Sequence, residues 1–422
     1  MPPAPTDLTV SSRRRLARAL GVFVQVREDE IPLLLWSVLD LFALLAGNYV
    51  IRPLRDEMGV AGGVENLRWM FLGTLAAMLG VGGIFSLISR RWGRPSLPVL
   101  YRFLQLNLLI FLVAPRFLPA SLAAPLARGF FVWASVYNLF VVSVVWGAMA
   151  DRFRAEQARR VFGFLAAGGT LGAIAGSFLT STLAGRVGPL NLLALTIGFL
   201  ELGLFAARRA SASDNRPAVA ASSPTKDSSR NSPYVIGMAL NVLFFTITSA
   251  CVYLEQAKIV KASFASPAER TAMFARIDLL VNVAGLGIQM ILTGRIIALF
   301  GVGGAAAVLP SLTLIGFVAL WSRPTLGVLV AFQVARRAVD YALARPCREI
   351  FYASARRGGS LGAKTLIDTA VYRAGDALGA WAYGFFAILP GPFGTAMLIV
   401  PLSLAWIGVS LKLGTPPRVE EK

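Results

Sequence analysis

Arg373 and Asp376 stand three residues apart in the otherwise apolar stretch AVYRAGDALGAW, and Arg345, Arg348 and Glu349 interrupt the run just before it, in RPCREIFY. Ionisable side chains inside a bilayer-length segment are costly, so they face one another or a water-filled cavity, and they mark candidate sites for a polar solute. Guanidinium groups suit one chemistry in particular, bidentate hydrogen bonding to the oxygens of phosphate or carboxylate. Cations follow a tyrosine in two further places. Tyr49 precedes Arg52 and Arg55 in NYVIRPLRDEMG, and Tyr253 precedes Glu255, Lys258 and Lys261 in CVYLEQAKIVK. Asp40, Glu255, Asp340, Glu349 and Asp376 are acids suited to hold these cations. Tyr49, Tyr137, Tyr253 and Tyr372 offer faces on which a planar group could stack, each such contact being worth roughly 1 to 3 kcal/mol.

Each of these residues has a plainer role to weigh. Arg55, Asp56, Lys258 and Lys261 lie near helix ends, where a charge that snorkels to water or caps a loop is the default. Arg373 and Asp376 share a helix face and can satisfy each other. Arg345, Arg348 and Glu349 can form a cytoplasmic gate with Asp151 and Arg152.

The elements that must position these groups are membrane helices. Of the 422 residues, 56% are hydrophobic and 15% charged, with a mean hydropathy of +0.66, against about 25% charged in soluble domains. The net charge of +19 is spread as punctuation between apolar runs and forms no continuous patch, so nucleic acid is not an expected partner and the lipid bilayer is. The chain contains no His, and Cys251 and Cys347 are isolated, so the sequence indicates no metal site, no disulfide framework and no cofactor. No nucleophile and base stand together as an enzyme would need.

About twelve apolar runs are long enough to cross a bilayer. They centre on Leu41, Met78, Leu106, Tyr137, Thr170 and Gly198, then on Phe245, Gly287, Thr313, Gln333, Thr369 and Pro401. The expected fold is all-helical and polytopic, in two six-helix halves. The division is a basic amphipathic segment at 1–30, a first half at 31–207, a polar low-complexity linker at 208–233, a second half at 234–412 and a tail at 413–422. An internal repeat supports the halves: Gly168-Gly169-Thr170-Leu171-Gly172-Ala173 aligns with Gly375-Asp376-Ala377-Leu378-Gly379-Ala380, and ISRRWGRP with TGRIIALFGVGG, at nearly equal spacings. The glycines of the first motif read as small-residue helix packing rather than a phosphate loop. Basic clusters fall on one side of the bilayer if both termini are cytoplasmic, as the positive-inside rule requires for a bacterial-type inner membrane.

Six helices repeated in the same orientation is the arrangement of the major facilitator superfamily. More specifically, IRPLRDEMG, YLEQAKIV, DRFRAEQARRVFGFLAAGGTLGAIAG, RPCREIFY and AKTLIDTAVYRAGDALGAW, taken in order, resemble the nonmitochondrial ATP/ADP translocases, nucleotide antiporters of plastids and intracellular bacteria. The resemblance implies alternating access and exchange of a nucleotide or related phosphorylated anion, with Arg52, Arg55, Lys258, Arg345, Arg348 and Arg373 as phosphate ligands. Glu255 and Asp376 are their acidic partners, and Tyr49 and Tyr372 are stacking residues. This chain has Ser135 near the position where members of that family carry an acid, and Arg55 where they carry Lys. Two other functions are consistent with the residues: a major-facilitator transporter of another organic anion, proton-coupled through Asp40 or Glu255, and a receptor or scaffold that does not transport. The oligomeric state is not expressed in the sequence.

Overall fold

Inside a bilayer no water is available to peptide groups, so a spanning segment must close its own hydrogen bonds as a helix. The computed structural model describes residues 27, 30–92, 97–153, 155–212, 233–356, 364, 366–389 and 393–415. Most of the expected N-terminal segment, linker and tail lies outside them. The described residues are helical nearly throughout, with no strand among them. In chain order the helices are α1 (Ile31–Ala61), α2 (Leu67–Trp92), α3 (Leu97–Val113), α4 (Ala123–Arg152), α5 (Ala155–Val187) and α6 (Leu192–Ala212). There follow α7 (Pro233–Ser263), α8 (Pro267–Ile291), α9 (Thr293–Ser322), α10 (Leu326–Val339), α11 (Arg345–Arg356), α12 (Tyr372–Phe386) and α13 (Phe393–Leu413). A π-helical turn, Asp340–Ala344, joins α10 to α11 in one rod, and a second, Ile367–Val371, leads into α12.

Among the described residues, nine helices are long and apolar enough to cross a membrane. The three further rods, α6, α10 with α11, and α12 with its π turn, carry more charge, and two of them hold the site residues. Together they make the twelve-rod polytopic architecture expected from the apolar runs.

Several boundaries move. Arg208–Ala212, expected in the linker, form the last turn of α6. The helix that reaches Arg345 continues to Arg356, because Cys347, Phe351 and Tyr352 fall on one face and are buried with Val235, Met238 and Leu343. Residues 357–363 lie outside the described ones. TGRIIALFGVGG forms the start of α9, broken at Gly301, whose φ of 68° suits glycine.

Two compact units result, each considered by itself. Over the described residues, the first draws on Met1–Leu54, Gly83–Pro119 and Ala134–Ala220, the second on Arg55–Gly82, Ala120–Trp133 and Ala221–Lys422. In the first, α5 lies close against α1: a Cβ on Gly172 would collide with the backbone of Phe42, and one on Gly176 with that of Ala46. The repeat-related contact recurs in the second unit, where a Cβ on Gly379 would sit 2.6 Å from the Ile247 carbonyl oxygen of α7. These glycines are helix packing, as expected from the spacing of small residues. Gly172→Val and Gly379→Val should each force two backbones apart and cost about 1 to 3 kcal/mol or more, read as a lowered melting temperature of the detergent-solubilised protein. Unchanged melting would show that the helices are not held at this distance.

Candidate functional site

In the second unit, four arginines gather where α7, α10, α11 and α12 meet. Arg336 of α10 and Arg348 of α11 approach the Phe245 ring of α7, with guanidinium carbons 5.4 and 5.3 Å from its centroid. Tyr372 and Trp406 pack edge-on to the same ring at 6.1 and 6.0 Å. Asp340 is shared by Arg345 at 3.2 Å and Arg348 at 3.6 Å. Arg373 donates to Asp376 at 2.9 Å and lies 5.3 Å from the Tyr372 ring, while Arg345 stacks on Tyr341 at 4.3 Å. Four guanidinium groups thus stand with two carboxylates, a surplus of two positive charges lined by aromatic rings.

The π turns help to place these groups. Such turns add a residue to one helical turn and recur at functional sites. The first has a visible cause: Pro346 has no N–H to offer the Ala342 carbonyl four residues back, and the Thr293 hydroxyl donates to that carbonyl instead, at 2.7 Å. Arg345 and Arg348 follow this turn, and Tyr372, Arg373 and Asp376 follow the second. On the far side of α11, Tyr352 donates to Asp368 at 2.8 Å.

Arg336 was not among the expected site residues, although its place in LGVLVAFQVARRAV is a direct signal of cost inside an apolar helix. It is only 3% exposed. Its guanidinium donates to Thr313 Oγ1 at 3.1 Å, Thr248 Oγ1 at 3.1 Å and Ser249 Oγ at 2.9 Å, all neutral oxygens.

A second group lies toward the Ala61 end of α1. Arg55 donates through Nε and Nη2 to Asp56 Oδ1 at 3.0 and 2.6 Å, and Tyr253 donates to the same oxygen at 3.2 Å. The Arg55 guanidinium lies 5.5 Å from the Phe131 ring and 5.9 Å from that of Tyr253. Glu57 takes both arms of Arg270, at 2.7 and 2.8 Å. A capping box at Ser266 and Glu269 starts α8 and fixes Arg270 on its first turn. Sequence reasoning missed this pair.

The remaining expected residues are elsewhere. Arg52 lies 5.6 Å from the ring of Tyr49 in the first unit. Lys258 does not pair with the tyrosine before it: its ammonium donates to Tyr383 of α12 at 2.6 Å, and Tyr383 donates to Glu255 at 2.6 Å. Tyr253 is instead engaged by Phe71, ring edge to face at 5.6 Å, and is not an open stacking surface. Tyr137 is 3% exposed and belongs to the core of the first unit. Asp40 is buried in that unit, accepting from Tyr101 at 2.5 Å and Arg152 at 3.3 Å, which ties α1 to α3 and α4. Glu349 pairs with Lys364 at 2.6 Å on the surface.

The twelve rods and the charges they carry define a polytopic membrane protein of major-facilitator-like fold. Solved transporters share it over almost the whole chain. A bacterial homologue of the iron transporter ferroportin, in an inward-facing state, is 12% identical, with 92% of this chain and 97% of that one covered and a TM-score of 0.61. An auto-inhibited peptide transporter of the POT family is 10% identical over 92% and 97%, with a TM-score of 0.61. The nucleoside transporter NupG is 12% identical over 92% and 98%, with a TM-score of 0.52. At these identities the likeness is one of fold. No protein-family model matches the chain, and no curated protein matches it.

Proposed function

We propose that the transported solute is a nucleotide or a related phosphorylated anion, exchanged by alternating access of two six-helix repeats. The observation that carries this reading is the cluster around Phe245, where four guanidinium groups face two carboxylates among aromatic rings. A polyphosphate requires several cations, guanidinium forks match its oxygens, and aromatic faces suit a base. In this reading Arg336, Arg345, Arg348 and Arg373 bind phosphate, Arg55 reads it from the other end of the cluster, and Tyr372 helps to hold the planar part. Both termini lie in the cytoplasm of a bacterial-type inner membrane, which puts the basic connections inside.

The test is uptake of labelled ATP and ADP into proteoliposomes preloaded with nucleotide. Uptake that requires internal nucleotide supports exchange, and uptake driven by a pH gradient with empty vesicles refutes it. A cavity with a surplus of positive charge is costly to close away from water, whereas a bound anion neutralises it, so reorientation would require substrate. Arg373→Ala should therefore weaken nucleotide affinity about tenfold, the scale of one charge-assisted bond. It should also let the empty carrier change sides, converting part of the exchange to net uptake. A variant that keeps strict exchange and unchanged affinity would reduce Arg373 to the structural partner of Asp376.

A further inference from the structure

Beyond the Phe245 cluster, the second unit holds one more concentration of cations, at the Ser263 end of α7. A cavity of about 730 Å³ opens there, lined by Arg68, Lys258, Lys261, Glu65 and Tyr383, with Val64, Leu254, Ala380 and other apolar residues forming its wall. Lys258 is thirteen residues beyond Phe245 along α7, roughly 20 Å at the helical rise of 1.5 Å per residue. The two sites are therefore separate.

Three features of the cavity bear on what it holds. Its lining residues carry three cations and one carboxylate, Glu65, which accepts only from the neighbouring Asn66 side chain, at 3.4 Å. Lys258 is anchored by Tyr383, which passes its own hydrogen to Glu255, so one ammonium is held in a fixed place while Lys261 extends into solvent. Arg68 is fixed in turn by stacking on Trp381, 5.0 Å from its centroid, beside Gly384. Beside it, Trp381 and Trp69 meet edge to face at 4.9 Å yet stay 38% and 54% exposed. Exposed tryptophans of this kind mark the level where a bilayer's headgroups begin.

We propose that this cavity is a phosphate-binding site, with Lys258, Lys261 and Arg68 meeting the phosphate oxygens and the apolar wall taking the group that carries it. An ammonium, a guanidinium and a second ammonium around one opening suit a compact anion, and an apolar wall beside them suits an ester rather than the bare ion. Two sources carry this chemistry to headgroup level, an anionic phospholipid and a free phosphate compound. The proposal does not depend on what the Phe245 cluster transports.

The full-length protein in a sugar-based detergent supplies the test, with inorganic phosphate, short-chain dioctanoyl phosphatidylglycerol and phosphate-free dioctanoylglycerol as probes at matched ionic strength. Phosphatidylglycerol should raise the melting temperature, and Arg68→Gln with Lys261→Gln should weaken its apparent affinity at least tenfold. Arg336→Met should leave that affinity unchanged. Because Arg68 and Lys261 are exposed, the double variant should fold, and its own melting temperature without ligand checks this. The single variant Lys261→Gln repeats the comparison at an exposed residue of the last turn of α7. If inorganic phosphate also stabilises and competes with the lipid, free phosphate compounds enter the site. If phosphatidylglycerol alone does so, the site is one for lipid. Equal stabilisation by dioctanoylglycerol, or a shift that survives the double variant, would overturn the proposal, as would no shift with either phosphate probe.

Discussion

Arg270→Ala is expected to destabilise the protein by about 3 to 5 kcal/mol, the range for removing one partner of a buried ion pair. Glu57 is fully buried, so losing Arg270 leaves a carboxylate with neither water nor a cation to face. Arg270 also donates to the carbonyls of Phe264 and Ala265 at 3.0 and 2.9 Å, closing the end of α7 onto the start of α8. Its loss therefore frees two backbone acceptors as well. Glu57→Ala should cost less, toward 3 kcal/mol, because Arg270 keeps those two carbonyls and is partly exposed. The charge-reversed double variant, Glu57→Arg with Arg270→Glu, should fail to recover stability, since a carboxylate at 270 cannot donate to Phe264 or Ala265. Thermal and denaturant melts of the solubilised protein would decide. Equal effects of the two alanine variants, or full recovery in the reversed pair, would show that the ion pair acts alone and the backbone bonds do not matter.

The pair also marks the limit of what could be read along the chain. Glu57 and Arg270 lie 213 residues apart, and each has an ordinary helix-end location that a snorkelling charge would explain. Only the packing of α1 beside the α7–α8 turn makes them partners. The rods themselves were legible because a bilayer leaves one solution for a run of twenty apolar residues, and the repeated glycines were legible because close helix contact demands the smallest residue. The concentration of charge in Arg345–Asp376 was legible for the same energetic reason. Its geometry was not: the helix runs on through Arg345 because Thr293, from α9, satisfies the carbonyl that Pro346 leaves open, and no local signal announces that donor. The roles of tyrosines were hardest to read. Tyr253 and Tyr137 have the same local setting as Tyr372, an aromatic in an apolar helix, and differ in what packs against them.

Replacing Arg336 with Met should leave the protein at least as stable and yet weaken nucleotide binding by a hundredfold or more. The first half of this expectation follows from the partners. Thr313, Thr248 and Ser249 each donate their own hydroxyl hydrogen to a backbone carbonyl, at 2.8, 2.9 and 2.6 Å, so losing the guanidinium removes a donor but strands none of theirs. Among the described residues no carboxylate is hydrogen-bonded to Arg336, and the nearest in sequence, Asp340, is already shared by Arg345 and Arg348. A buried cation with neutral partners carries a desolvation cost that an apolar side chain of similar length does not, and such replacements are often neutral or stabilising. The second half follows from the anion. Arg336 lies against the ring at the centre of the cluster and contributes one of its two surplus charges, where water is excluded and an interaction with phosphate is strongest. Losing about 3 kcal/mol there, the upper value for a hydrogen bond to a charged group, is just over a hundredfold in affinity. Thermal melting without ligand and with a titrated nucleotide measures both quantities on one sample. A variant that melts lower and binds as before would make Arg336 a strap between α7, α9 and α10 and remove it from the phosphate site.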